Sequence, residues 1–466
     1  MHAGTGTGEL RERWEAAGQG GVFRFWDGLD ASAHARLAAQ LESIDLGAVC
    51  AGWREALARP AVRVEEIAPA QVVRAISPET LAALRESGED LLARGEVAVL
   101  TVAGGQGTRL GFDGPKGAFP IGPVSDRSLF ALFAQGIAGH ARRSGCALPW
   151  IVLTSPGNDA ATRRFFARHA HFSLPAGDVR FVVQATLPVL GLDGQILLER
   201  PDRVAEAADG HGGVFAALLA SGTLAELEAR GIQRIFYHHV DNPLVRIADP
   251  AYLGLHAQGR AEMSCKLVEK RDPFEKVGFL CSRAGRTAVL EYSEVPPELA
   301  AARDEAGQPR FWAGSIGIHV LDVAFVRRVA EGPALPLHLA RKPVATVDAA
   351  GRPVTPAESN GHKLERFVFD ALARAGSVAV METRRQDEYS PVKNARGEAS
   401  PESARGDLVA SYRRWIAEAG LEAPGDSVAI EVDHSRFDGP EELRRSGLRR
   451  ISEAAPHVRI AHGAER

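Results

Sequence analysis

Six glycines, an arginine and a lysine crowd one loop of this chain, LTVAGGQGTRLGFDGPKG at residues 100–117. The loop closes an apolar run, VAVLTVAGG, that starts after Glu96 and predicts a buried parallel strand opening into a ligand loop. Gly104, Gly105 and Gly107 remove Cβ atoms where a nucleotide's base and phosphates would approach the backbone, and bare N–H groups can then bind oxygen atoms. Arg109 and Lys116 set two cations beside them. A tight strand-to-helix turn would use the same glycines. Two other nucleotide motifs are excluded, because a dinucleotide fingerprint needs glycine where Leu110 stands and a P-loop needs a Gly-Lys-Ser/Thr order that is absent.

The elements that must carry this loop are legible in the pattern around it. Residues 23–93 read as helices with loops between them; Leu37, Leu41 and Ile44 share one helical face, and Leu81, Leu84 and Leu91 suggest another. From Glu96 strands and helices alternate: a helix over 128–141, the strand PWIVLTS, a helix over 159–169, the strand VRFVVQ, a helix over 214–230 and the strand RIFYHHVDN. Such repetition predicts an α/β fold with a doubly wound, mixed and mostly parallel sheet, ligands lying at the strand carboxyl ends. The expected boundaries are a mainly helical segment at 1–95, a catalytic domain at 96–394, and a linker with a small domain at 395–466 that includes a strand in SVAIEV. His238 and His239, adjacent on one strand, must face opposite ways and so are structural, not a metal pair.

Composition narrows the function classes. The 466 residues carry 45% hydrophobic and 24% charged side chains and a net charge of -4, with no long basic block, so neither nucleic acid nor a membrane surface is an expected partner. No run approaches the roughly 18 apolar residues of a membrane span, and the amino-terminal stretch has no apolar signal region. Four cysteines without close pairing fit a reducing compartment, the cytoplasm. Only seven of the 55 basic residues are lysines: Lys116, Lys266, Lys270, Lys276, Lys342, Lys363 and Lys393. An ammonium and a guanidinium are not interchangeable at a phosphate, so these few mark candidate sites.

From about Phe23 to Asn394 the chain resembles the UDP-sugar pyrophosphorylases, most closely the eukaryotic-type UDP-N-acetylglucosamine pyrophosphorylase family. The blocks run in family order: FRFWDGLDASAHARLAAQLESIDL, LTVAGGQGTRLG, QATLPVLGLDGQILLE, ADGHGG, HHVDNPLV, LVEKRDPFEKVG, VLEYSEV, FWAGSIGIH, NGHKLERFVFDAL and RRQDEYSPVKNA. The resemblance implies a Rossmann-like nucleotidyltransferase core joining UTP to a hexose 1-phosphate with release of pyrophosphate, and magnesium as cofactor. It implies that Arg109, Lys116 and Lys393 grip phosphates, that Asp241 holds the magnesium, and that Gly104 and Gly105 line the nucleotide. Gln184 matches the glutamine that reads uracil, whose donor and acceptors one amide can satisfy. Gly210 lets the base lie on bare backbone, and His211 stands where the nearest relatives have asparagine. Glu291 matches the carboxylate on the sugar hydroxyls, and Ser315 replaces the asparagine that recognises the sugar. N-acetylglucosamine 1-phosphate is therefore one expected substrate and glucose or galactose 1-phosphate the alternatives; a non-catalytic nucleotide-sugar sensor is the alternative of another class. The oligomeric state is left open.

Overall fold

The computed structural model describes residues 4–60, 62–72, 74, 76–448 and 457–460. Of the expected carboxyl-terminal domain, residues 449–456 and 461–466 lie outside the described residues. The chain divides into two compact units, each assembled from three stretches.

The larger unit takes the described parts of Ala61–Val183, Phe215–Gly332 and Leu372–Arg466. Its centre is the expected mixed sheet, with strands β1 (Ile67–Pro69), β2 (Val97–Val102), β3 (Trp150–Thr154), β4 (Val179–Val183), β5 (Arg234–His239), β6 (Met263–Glu269), β7 (Phe279–Arg283), β8 (Arg286–Leu290), β9 (Ala313–Asp322) and β10 (Val378–Glu382). The order is β1-β7-β9-β5-β2-β3-β4. Strands β5, β2, β3 and β4 run parallel, which explains why β2 and β3 read as unbroken apolar runs: helices cover both faces and leave no polar side. β9 returns antiparallel to β5, and β6 pairs with both β9 and the parallel β10. Local caps start the covering helices. Ser77 accepts from Thr80 N–H ahead of Pro78–Ala93, Ser128 from Ala131 N–H ahead of Leu129–Ser144, and Asp249 from Ala251 N–H ahead of Pro250–Gln258.

Two expectations are corrected. The helix expected over 214–230 is two, Val214–Ala220 and Thr223–Ala229, because Gly222 turns left-handed at φ 73° between them. Leu84 and Leu91 are buried, whereas Leu81 is 37% exposed and belongs to the solvent face of its helix.

The smaller unit takes the described parts of Met1–Pro60, Gln184–Val214 and Pro333–Ala371. Helices Ala31–Ser43 and Leu46–Ala58 bury Leu37, Leu41 and Val49 in one cluster with Leu190, Leu198, Val204 and Leu364. A three-stranded sheet sets Gly361–Glu365 between His338–Lys342 and Leu190–Gly191. Among the described residues no helix is long and apolar enough to cross a membrane.

Candidate active site

β2 delivers the glycine loop at its carboxyl end, and the loop's carbonyls are consumed internally. Asn158 Nδ2 donates to Ala103 O at 2.7 Å and Gly105 O at 3.2 Å, Ser155 Oγ donates to Gly104 O at 2.8 Å, and Lys116 N–H donates to Gly105 O at 3.1 Å. The N–H groups of Gly104 and Gly105 bond to no described residue. A chain whose carbonyls are tied back and whose amides are free is prepared for an anion. Ser155 and Asn158 come from the turn after β3, a pair the sequence reading missed although SPGN after a strand is a turn signal.

Lys116 folds back over this loop, its Cε 4.0 Å from the position a Cβ on Gly105 would take. Its Nζ lies 4.0 Å from Asp241 Oδ2, and each side chain is 17% exposed. Asp241 follows β5, the strand parallel to β2, so two parallel neighbours bring loop and carboxylate together. Burial works to raise the Asp241 carboxyl, but Lys116 and then Lys393 outweigh it and hold the group below its ordinary range. Lys393 is half-buried; burial works against its charge, and Tyr389, Asp241 and Glu291 more than restore it. The structure thus gathers Lys116, Asp241, Lys393 and Glu291 in one unit around one charge cluster. Arg109 is exposed on the turn Thr108–Leu110, pairs with no described carboxylate, and is not among the charges acting on Asp241.

The two histidines before Asp241 do face opposite ways. His238 Nε2 meets Thr101 Oγ1 at 2.7 Å in the core, where burial pushes the ring down to about 3. His239 bonds the Tyr237 hydroxyl at 3.1 Å and feels Asp241, Lys393 and Lys116, so it belongs to the cluster's surroundings. Its ring lies against Gly317 of β9, where a Cβ would stand 3.2 Å away. On the same strand, Ser315 N–H donates to Gly278 O at 2.8 Å, and Glu291 Oε2 stands 3.3 Å from the Cβ position of the same Gly278. Ser315 and Glu291 therefore flank one backbone position.

In the smaller unit, Gln184, Gly210 and His211 gather at a second locus. Gln184 is buried, and its Nε2 donates to Asp209 Oδ1 at 3.4 Å. Burial pushes Asp209 up to about 6, with Arg366 and Gln184 partly opposing it; Arg366 Nη1 lies 3.7 Å away. Gly210 sits at φ 86°, and a Cβ there would stand 2.4 Å from Arg366 O, so no side chain fits. His211 accepts from Val368 N–H through Nδ1 at 3.1 Å and stacks on Phe367 at 5.2 Å between centroids. That backbone bond assigns the proton of the neutral ring to Nε2. Asp209 and Arg366 were not singled out in the sequence, since neither shows a partner at local spacing.

Among the described residues no group of three or more His, Cys, Asp or Glu is placed to hold a metal. A single ionised carboxylate such as Asp241 suits a hard cation that takes its remaining ligands from phosphates and water. Free loop amides, flanking ammonium groups and one carboxylate at parallel strand ends are the means of transfer between phosphates, and with this fold they define a nucleotidyltransferase. Comparison with known proteins gives the finer assignment. Residues 53–408 match the family described as UTP-glucose-1-phosphate uridylyltransferase, and the chain belongs to that family. A human UDP-N-acetylhexosamine pyrophosphorylase-like protein 1 is 38% identical over 88% of this chain and 86% of its own. The UDP-N-acetylglucosamine pyrophosphorylase of Saccharomyces cerevisiae is 34% identical over 74% of each. The crystal structure of the Trypanosoma brucei uridine diphosphate N-acetylglucosamine pyrophosphorylase, solved with an inhibitor, superposes with a TM-score of 0.83 at 27% identity and covers 98% of both chains.

Proposed function

We propose that the protein joins UTP to N-acetylglucosamine 1-phosphate, forming the UDP-sugar and pyrophosphate. The observation that carries this reading is the convergence of Lys116 and Lys393 on Asp241 beside the free amides of Gly104 and Gly105. The names of its relatives at 34–38% identity support the N-acetylated sugar. A phosphate oxygen of the sugar 1-phosphate attacks the α-phosphorus of UTP in line, the bond to the bridging oxygen breaks, and pyrophosphate leaves. No protein nucleophile takes part, so the chain contributes position and charge. Gly104 and Gly105 cradle phosphate oxygens, and Lys116, Lys393 and Arg109 neutralise the polyanions. Asp241 would hold magnesium, which supplies charge neutralisation at the transferring phosphate when bound. Gln184 reads uracil, Gly210 lets the base approach, and His211 shapes that surface; Glu291 and Ser315 meet the sugar. The free thiols of Cys50, Cys146, Cys265 and Cys281 support a reducing, cytoplasmic setting.

The test is pyrophosphate release from UTP and magnesium with N-acetylglucosamine, N-acetylgalactosamine, glucose and galactose 1-phosphates in parallel. N-acetylglucosamine 1-phosphate is expected to give the highest kcat/KM, and Ser315→Asn to raise the N-acetylated share further. A higher kcat/KM for glucose or galactose 1-phosphate would move the assignment to those sugars, and no release from any of them would favour a nucleotide-sugar sensor.

A further inference from the structure

Asn242 follows the carboxylate Asp241 directly, yet it points into the protein and is only 3% exposed. Its amide is used at both ends. Nδ2 donates to Glu388 O at 2.7 Å, and Oδ1 accepts from Ser390 N–H at 3.1 Å. The neighbouring backbone adds a third tie, Val392 N–H to Asp241 O at 2.7 Å. One short segment, 388–392, is thus strapped to the end of β5, and the next residue is Lys393.

The far side of the segment is held as firmly. Glu388 is 3% exposed, and both its oxygens bond Lys266 Nζ, at 2.5 and 2.7 Å. Lys266 also bonds Asp249 Oδ2 at 2.6 Å, and Thr383 Oγ1 donates to Glu388 Oε1 at 3.1 Å. Beyond the segment, Lys393 N–H and Asn394 N–H both donate to Ala399 O, at 2.7 and 3.0 Å. Such a brace exceeds what a surface loop needs, and it ends directly at Lys393.

We propose that Asn242 is a positioning residue that sets Lys393 against Asp241; the inference rests on the proposed transfer for its consequence, but not for its geometry. The planar amide of Asn242 offers a donor to one carbonyl and an acceptor to an N–H two residues on, from two atoms fixed apart in one plane. Aspartate keeps the shape and the acceptor but turns an oxygen towards Glu388 O. Serine is too short to span both groups.

Two measurements on the full chain test this. In competitive acetylation read by mass spectrometry, Asn242→Asp and Asn242→Ser are expected to raise the labelling of Lys393 several-fold while Lys342, exposed in the smaller unit, is unchanged. Unchanged Lys393 labelling in either folded variant overturns the inference whatever the enzyme's substrate. In the pyrophosphate-release assay, both variants are expected to lose about 10- to 100-fold in kcat with little change in the KM for UTP. Added to Lys393→Ala, the same substitutions are expected to cause no further loss, because a residue acting through Lys393 has nothing left to position. Losses that multiply would assign Asn242 an independent role and overturn the proposal. Absence of turnover in the unaltered protein would instead overturn the proposed function and leave the labelling test standing.

Discussion

Lysine is scarce in this chain, and at four of its seven positions a compact ammonium has a task that a planar guanidinium fits poorly. Lys266 is fully buried between two carboxylates, Lys270 donates to Pro273 O at 2.7 Å, and Lys116 and Lys393 flank Asp241. Lys276 and Lys342 are exposed, so scarcity alone does not separate tasks from chance. The loop cations were legible from spacing in the case of Lys116; Lys393 was reached by resemblance, because nothing local distinguishes it. Arg109 shows the limit of spacing, since it shares the loop and yet stands apart from the charges on Asp241. Removing Lys116 takes away charge aimed at a developing transition state, so Lys116→Ala is expected to lower kcat about 100-fold or more, with a smaller effect on the KM for UTP. Equal losses in both constants would make the lysine a binding group only.

β9 shows how an element aims side chains that no local pattern could place. Its register with β6 jumps, Lys266 facing Ile318 and Leu267 facing Ser315, so residues 316 and 317 are extra in the ladder. Gly317 takes φ 69° at this bulge and leaves room for the His239 ring. A bulge re-aims a strand, and here the re-aimed stretch carries Ser315 past Gly278. Gly317→Ala must adopt the left-handed region against that ring and is expected to destabilise the fold by about 1–2 kcal/mol, measured as a lower urea midpoint. An unchanged midpoint would show that another conformation serves the bulge equally well. The apolar runs of β2 and β3 were read correctly because burial on both faces is written in consecutive residues. The break at Gly222 was not, because a helical period continues on both sides of it.

Each unit is stitched from three distant stretches, and its polar core pairs are correspondingly remote. Asp209 illustrates the energetic consequence in the smaller unit. Its folded value of about 6 lies above the ordinary 3.8, so the fold favours the neutral acid. That contribution is fully present below the unfolded value and is lost as pH rises through about 6. The shift corresponds to about 3 kcal/mol, so stability of the unaltered protein relative to Asp209→Asn should fall by roughly that amount between about pH 4 and pH 7. Parallel curves for the two proteins in chemical denaturation would refute the assignment. The succession of strands and helices along the chain, most apolar faces, the glycine loop and the family were within reach of the sequence, because period, run length and motif spacing act over a few neighbouring residues. Which polar groups meet was not: Asp249 with Lys266 and Glu388, Asn242 with Ser390, and Gln184 with Asp209 are choices among many chemically equal candidates. Chain separation carries no information about such contacts, and they exist only once burial has brought distant segments together and made an unpaired charge expensive.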